Sequence, residues 1–532
     1  MPWWRELSEF IKPRRGRFMV TDRNRGGKRY HNIINSKGTQ AHKICTSGML
    51  AGTMSPTRPW FSLETHDPDL MERAAVKEWL YRVELILRTI FNESNFYGQA
   101  STLLGELTLF ATGAMHHVDD FDNVARFYTH TAGSYMIGQD DKFNINTMAR
   151  EYEWTVGQIV RKFSLEKVSR HVRDQWDRGN YEKWYPLVHF VEPNDEYNPY
   201  KKVAKNKAFK SIYYEPGGQG PDRDKWLSVS GFDDFPFYVP RWDVTGEDIY
   251  GTDCPGMIAL GDIKGLQMQE RRKAQAIDKM VNPPLKGPPQ LKQVPINTLP
   301  AGATIYDGDD SRQKLEPIYT VTPQLQDLRF DMDAVERRIE QAFFVDMFLA
   351  ITNIEGIQPR NQLDLLQRNE ERLLQLGPVL EHIQVDFLDP LIDRAFNQAQ
   401  KAGILPPPPD EIVNTDLRIK YISTLAMAQR AVATQGIDRV AAFAISLTQG
   451  GFTGAAIKFN DEQAVDEYAR AIGIPPSIIR PDEEVEQIKA EQAKAIQAQQ
   501  QAEMANQMGQ AVKNTAQADT SGKNALTDLL GG

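Results

Sequence analysis

The amino-acid sequence predicts a mixed α+β subunit, mainly helical and elongated. Two long runs of helical periodicity flank the proline-rich stretch "DKMVNPPLKGPPQLKQVP" at residues 278–295, which breaks the first helix firmly before the second begins. Between about residues 115 and 256 the pattern turns to short aromatic and β-branched runs punctuated by Gly, Pro and Asp, which reads as strands. At 532 residues the chain is too long for one ordinary core, so distinct regions are expected.

Composition narrows the class. Hydrophobic residues make up 41% and charged residues 25%, as in a soluble globular protein, and no apolar run is long enough to cross a bilayer, so no membrane partner is expected. The N-terminus lacks the apolar stretch of a secretory signal, so cytosol is the default expectation. Cys45 and Cys254 have neither disulfide-framework nor metal-ligand spacing and are expected to be free thiols. A net charge of -9 argues against a protein that grips nucleic acid over its whole surface. Residues 12–29 depart from that balance: Lys12, Arg14, Arg15, Arg17, Arg23, Arg25, Lys28 and Arg29 stand against Asp22 alone. This basic arm suits nucleic acid, an acidic partner or a solvated flexible terminus equally well.

Taken in order, "TSGMLAGTMSPTRPWFSL" (46–63) puts Ser47, Gly48, Ala51 and Gly52 on a helix that stops at Ser55-Pro56, small enough for another helix to approach closely, with Arg58 and Trp60 at the corner after it. Asp67 caps a helix with Pro68 in its first turn and Leu70, Ala74, Leu80, Val83, Leu87 and Phe91 at helical spacing. A second helix covers about 95–112. Strands follow at "ARFYTH", "YPLVHFV", "SIYYE" and "FPFYVPRW", with "TVGQIVRKFS" as a helix among them. Residues 262–281 place Ile263, Leu266, Ala274, Ile277 and Val281 near one face, while the turn "QERRK" is charged all round and should meet charged neighbours. The run Leu325, Leu328, Met332, Val335, Ile339 and Ala342 is a seam for packing on another helix. At roughly 1.5 Å per residue, each of the two is on the order of 30 to 40 Å long. Residues 283 to about 322 must then be an excursion at the far end of a helical hairpin. Residues 350–362 interrupt helicity, and a helix from 361 to about 402 should kink at Pro378, Pro390 or both. A further helical region follows "KAGILPPPP", and from Pro481 the chain is Gln- and Ala-rich, suited to an exposed helix or a partly disordered tail. No internal repeat appears, so any symmetry must come from subunits.

The search for chemistry is negative. No glycine-rich phosphate loop, Gly-x-Ser-x-Gly elbow or His-Glu-x-x-His helix is present. His116 and His117 are neighbours on a strand and point to opposite faces, which prevents easy sharing of one ion. "DGDDS" (307–311) starts like a calcium loop, but Arg312 stands where glycine is needed. No catalytic, cofactor-binding or metal residue and no cofactor is assigned.

Several segments in a fixed order resemble the portal, or head-to-tail connector, proteins of short-tailed bacteriophages. They are "GMLAGTMSPTRPWFSL", "GFDDFPFYVPRWDVTGEDIYG", "ALGDIKGLQMQERRKAQAIDKMVNPPL", and "NIEGIQPRNQLDLLQRNEERLLQLGPVLEHIQVDFLDPLIDRAF" with "AGILPPPP" after it. The resemblance spans about residues 40–430; "LAITNIEGIQPR" departs from the family's loop in its own residues. It implies an elongated portal fold that assembles as a ring. Its parts would be a basic arm (1–29), a wing (30–257), stem helices (258–282 and 325–349) around a clip (283–324), a tunnel loop (350–360), a kinked wing helix (361–402), a crown (403–480) and a C-terminal helix or barrel (481–532). It implies twelve copies at one capsid vertex of the virion, assembled in the host cytoplasm. Double-stranded DNA would be threaded through the ring by the terminase large subunit, and tail adaptor, capsid and scaffolding proteins would be further partners. On that footing Thr352, Asn353, Ile354, Glu355 and Gly356 are expected to reach DNA from the tunnel loop. Asp333, Glu336 and Glu340 are expected to make an acidic channel wall, and Lys286, Lys292, Asp309 and Asp310 a docking clip. The competing readings are another virion scaffold or tail adaptor, and an enzyme with a scattered metal-dependent site.

Overall fold

The computed structural model describes residues 2–19, 32–120, 122–201, 203–217, 226–287, 325–352, 375–413 and 415–423, together with residues 296–297, 316–318 and scattered positions from 425 onward. Helix α1 (Pro2–Phe10) inserts Leu7 into the main core, and Ile11 follows it. Part of the expected basic arm is therefore folded. Arg15 reaches the carboxylate of Glu106 at 3.3 Å and the carbonyl of Thr102 at 2.9 Å. Glu106 is buried and also accepts from the Thr131 hydroxyl and the Ala132 amide, so burial pushes its pKa up while Arg15, Ala132 and Thr131 pull the other way. Residues 20–29 of the arm lie outside the described residues.

Helix α2 (Lys37–Thr53) ends before Ser55-Pro56, where the sequence places the stop. Trp60 is buried at the corner, its indole donating to the Tyr97 hydroxyl at 3.3 Å, whereas Arg58 is exposed. Strand β1 (Phe61–Thr65) follows. The helix expected from Asp67 is two helices, α3 (Pro68–Glu72) and α4 (Ala74–Glu93), because Arg73 adopts extended backbone between them. Asp67 caps α3 as predicted, accepting from the Asp69 amide. Helix α5 (Phe96–Phe110) is buried on nearly every side, and His42 of α2 holds the carbonyl of Gly105 at 2.9 Å.

Strands β2 (Ala114–Asp120) and β3 (Val124–His130) form a three-stranded antiparallel sheet with the short β9 (Phe237–Tyr238), in the order β3-β2-β9. Strands β4 (Tyr135–Gln139), β5 (Ile145–Thr155), β6 (Trp184–Pro193), β7 (Phe209–Tyr214) and β8 (Trp226–Phe232) make a five-stranded meander, every pair antiparallel. Between β5 and β6, α6 (Val156–Phe163) starts with a capping box formed by Thr155 and Gln158. Helix α7 (Arg170–Asp177) follows, and the two bury Val156, Ile159, Phe163 and Val172 on one face of the meander. Its β4 edge is covered by the 245–251 segment, where Tyr250 accepts from the Ile137 amide and Gln139 bonds the Glu247 carbonyl.

Helix α8 (Pro255–Val281) begins seven residues earlier than the periodicity alone indicates, with Pro255 in its first turn. Strands β10 (Leu285–Lys286) and β11 (Glu316–Pro317) then pair antiparallel at the foot of the excursion. Helix α9 (Leu325–Ala342) returns along α8, and α10 (Val345–Thr352) is separated from it by Phe344 at φ 54. The second long run is thus two helices. The later helix is α11 (Gly377–Ile383), a π-helical turn (Gln384–Leu388) and α12 (Asp389–Lys401). Pro378 stands in the first turn of α11, just after a turn at Leu376; residues 361–374 of the expected helix lie outside the described residues. The irregularity falls just before Pro390, whose missing N–H and bulky ring are accommodated by the wider turn. Strand β12 (Leu417–Tyr421) pairs with β1, which brings residues far apart in the chain into one layer.

Glu84 of α4 is tucked beneath that layer and accepts from the Leu63 amide at 2.7 Å. Burial raises its pKa to about 7, with Glu64 adding to the rise and the Leu63 amide and Arg88 opposing it. Because the folded chain holds this proton more tightly than the unfolded one, stability falls as pH rises from about 4.5 and levels off above about 7. Glu84→Gln keeps the acceptor and removes the charge. It is expected to raise the melting temperature at pH 8 and leave it nearly unchanged at pH 4.5, measured by thermal denaturation at the two pH values.

Candidate functional site

The helical hairpin α8/α9 is the feature the sequence marked most strongly. Ile263 and Leu266 of α8 and Met332, Val335 and Ile339 of α9 are buried, so the α9 seam packs as its spacing predicts. Arg338 grips Asp262 with Nε and Nη2 at 2.9 to 3.2 Å, and Gln269 donates to Asp331 at 2.6 Å. The α8 face named from the sequence is only half packed. Beyond Lys273 the helix projects past its own core, leaving Ile277 at 41% and Val281 at 71% exposure, while Phe330 on α9 is at 68%.

At the base of the hairpin, polar groups that no motif announced tie it to α2. The Ile34 and Asn35 amides donate to Gln267 Oε1 at 2.6 and 2.8 Å, and Gln267 Nε2 returns a bond to the Asn35 carbonyl at 2.8 Å. Asn35 Nδ2 reaches Glu336 at 3.1 Å and Glu270 at 3.3 Å. Lys37, the first residue of α2, lies 2.5 Å from Glu340 and 3.5 Å from Glu336. Burial works against the Lys37 charge, yet bonding to Glu340 and Glu336 carries its pKa above the ordinary lysine value. Glu336 and Glu340, expected on the acidic wall, thus share the one Lys37 charge within the chain and remain partly exposed. Asp333 is exposed on α9, near the hairpin's bare half.

Helix α10 leads to the expected tunnel loop and rests on α2. A Cβ on Gly48 would fall 2.3 Å from the ring of Phe348, so only glycine permits this approach, as the small-residue stripe suggests. Thr352 closes α10; Asn353, Ile354, Glu355 and Gly356 lie outside the described residues. In the excursion, Lys286 pairs with Glu316 across the β10/β11 ladder at 3.0 Å, and both are exposed. Lys292, Asp309 and Asp310 lie outside the described residues, as do most of residues 424–532, where the crown and C-terminal barrel were expected.

Among the described residues no group of three His, Cys, Asp or Glu is placed to hold a metal ion, and no helix is long and apolar enough to cross a membrane. Cys45 and Cys254 are both buried free thiols, and burial drives their pKa values up. What this arrangement offers is mechanical: a projecting two-helix rod, keyed at its base by Lys37, Asn35 and Gln267.

The whole-chain comparisons decide the family. A family model described as bacteriophage head to tail connecting protein matches residues 1–479. The chain belongs to that family. It is a phage head-to-tail connector, a structural protein and not an enzyme. The chain is 39% identical over 527 residues to the portal protein of Salmonella phage epsilon15, covering 99% of this chain and 94% of that one. It is 40% identical over 530 residues to the probable portal protein of Bordetella phage BPP-1, with the same coverage. A solved chain from the neck of an empty gene transfer agent particle covers 88% of this connector at 12% identity and a TM-score of 0.34, too distant to carry weight here.

The keyed base of the connector's hairpin gives a measurable expectation. Glu336→Lys with Glu340→Lys should destabilise the subunit by on the order of 1 kcal/mol per lost pair, and adding Lys37→Glu should recover part of it. Denaturant melts of the single and combined variants test this; equal midpoints throughout would count against it.

Proposed function

We propose that this connector is a portal: copies of the chain close into a ring, twelve in the virion, at one capsid vertex, with each α8/α9 hairpin contributing to the wall of a passage for double-stranded DNA. The observation that carries the reading is the likeness to two phage portal proteins at 39 and 40% identity over nearly the whole chain. The terminase large subunit would dock during packaging and tail adaptor proteins afterwards, with capsid and scaffolding proteins around the rim and assembly in the host cytoplasm. Residues 30–257 would be the wing, 258–282 and 325–349 the stem, 283–324 the clip, 350–360 the tunnel loop and 403–480 the crown.

Electrostatics supports the passage. A net charge of -9 becomes on the order of a hundred negative charges in twelve copies, and an electronegative wall would let phosphates slide without gripping them. Asp333, Glu336 and Glu340 would line it, the two glutamates sharing one lysine, with Asp327 on the exposed side of α9 beside them and Arg329 and Arg337 interleaved. A loop at 353–360, anchored on α10, would meet DNA inside the ring and hold it against backsliding, and the clip around Lys286, Lys292, Asp309 and Asp310 would receive motor and tail in turn.

Electron microscopy of the purified chain should show rings with an axial opening bordered by helical rods; a solid or asymmetric particle would point instead to another scaffold or tail adaptor. Deleting residues 353–357 is expected to leave the rings intact while filled heads lose DNA. Normal retention in that deletion would defeat the loop's role without touching the ring.

A further inference from the structure

Three histidines from three strands meet where the two sheets face each other. His116 (β2) stacks on Phe237 (β9) with ring centroids 4.3 Å apart, and stands 5.7 Å from His189 (β6) and 6.2 Å from His130 (β3). His189 in turn stacks on Tyr213 (β7) at 4.0 Å and shares a 2.9 Å hydrogen bond with Ser211. Around them Phe237, Val239 and Ala114 of the three-stranded side meet Tyr135, Met148 and Val191 of the meander in a single cluster. All three histidines are at most 8% exposed, and Nε2 of His116 and of His130 has no hydrogen-bond partner.

We propose that His116, His130 and His189 form an acid-labile joint: proton uptake here releases the β3-β2-β9 sheet from the five-stranded meander. The geometry leaves an imidazolium no good partner. Two of the three rings have an unmatched buried nitrogen, and flat stacking on Phe237 and Tyr213 suits a neutral ring in a dry slot. The charges that act on the cluster are of the wrong sign from each neighbouring element. Arg150 of β5 acts on all three histidines, Lys162 of α6 on His189, and Arg394 of α12 on His116. No carboxylate is among them; Asp119, further along β2, is 3.9 Å from Arg394 instead.

Burial first, then the neighbouring histidines and these cations, hold all three pKa values well under the ordinary histidine value, His189 at about 3. The sign is therefore fixed. An unfolded histidine takes its proton near pH 6.5, so the joint keeps its full stability above that value and loses it as pH falls through the interval below. Up to three protons are taken up together, which makes the loss steep. His117, the next residue on β2, faces the other way, toward Tyr238 and Phe127, and is not part of the cluster.

The test uses the full chain. Hydrogen exchange read by mass spectrometry at pH 7.5 and 5.0, corrected for intrinsic rates, should show amides of β2, β3, β6 and β9 losing protection at least tenfold more than those of α4 and α5. His116→Phe with His189→Phe should abolish that difference. Equal loss across all elements, or a difference that persists in the double variant, overturns the proposal. Should the variant fold poorly, exchange of the imidazole C2 hydrogens in the unmodified chain reads the same groups. Half-exchange well below pH 6.5 while the sheets stay protected is expected, and an inflection near 6.5 with protected sheets refutes the joint.

Discussion

The subunit is built around one close helix approach. Gly48 lets α2 meet the ring of Phe348 at a separation no side chain would allow, and a Cβ on Gly52, one turn on, would fall 2.4 Å from Leu425. The opposite flank of α2 is held to α5 through His42 and through the hydroxyls of Thr46 and Thr108, 3.4 Å apart. Helix α2 is thus a buried spar, gripped by the body on one side and by the segment entering the 353–360 loop on the other. Its first residue, Lys37, also pairs with Glu336 and Glu340 of α9. A displacement of α2 would move the hairpin and the loop together, since one rigid element carries both contacts.

That arrangement redistributes charge in a way net totals conceal. The first long helix is rich in Lys and Arg and the second in Asp and Glu, which suggests attraction between neighbouring subunits. Much of the attraction is spent inside the chain: Lys37 with Glu336 and Glu340, Arg338 with Asp262, Lys264 with Glu6 at 2.6 Å. These pairs are half-exposed, so their contribution to stability is modest. Their greater effect is on register, because a two-pronged contact such as Arg338 with Asp262 fixes how far α9 slides along α8.

The fold was legible where a rule of backbone or periodicity governs it. Asp67 and Pro68, the seam from Leu328 to Ile339, the stop before Ser55-Pro56, and two meander strands, at "YPLVHFV" and "SIYYE", all follow from local chemistry. What escaped reading was decided by tertiary contact. Nothing in "LLGELTLF" says that Glu106 turns inward to receive Arg15, since an isolated glutamate in a helix is ordinarily solvated. Phe344 breaks the second run by taking φ 54 with no glycine or proline to announce it. Among the site residues, sequence found the hairpin and Gly48 but did not show that Glu336 and Glu340 share Lys37 within the chain. The i, i+4 spacing shows that two carboxylates share a face and is silent on what that face meets.

The bare end of the hairpin carries the remaining argument. Near the body, α8 and α9 are held by Ile263, Leu266, Met332, Val335 and Ile339, but beyond Lys273 the chain supplies almost no buried apolar side chain to keep α8 helical. A helix of about ten residues without tertiary support is marginal in water, because nucleation is costly and each added turn contributes little. The β10/β11 ladder, two residues long on each strand, is too small to supply what is missing. Ile277, Met280 and Val281 therefore face solvent at a cost that one chain alone does not recover. In the proposed ring the same residues sit where neighbouring rods come together, so the feature that leaves the single subunit incomplete is the one that closure would satisfy.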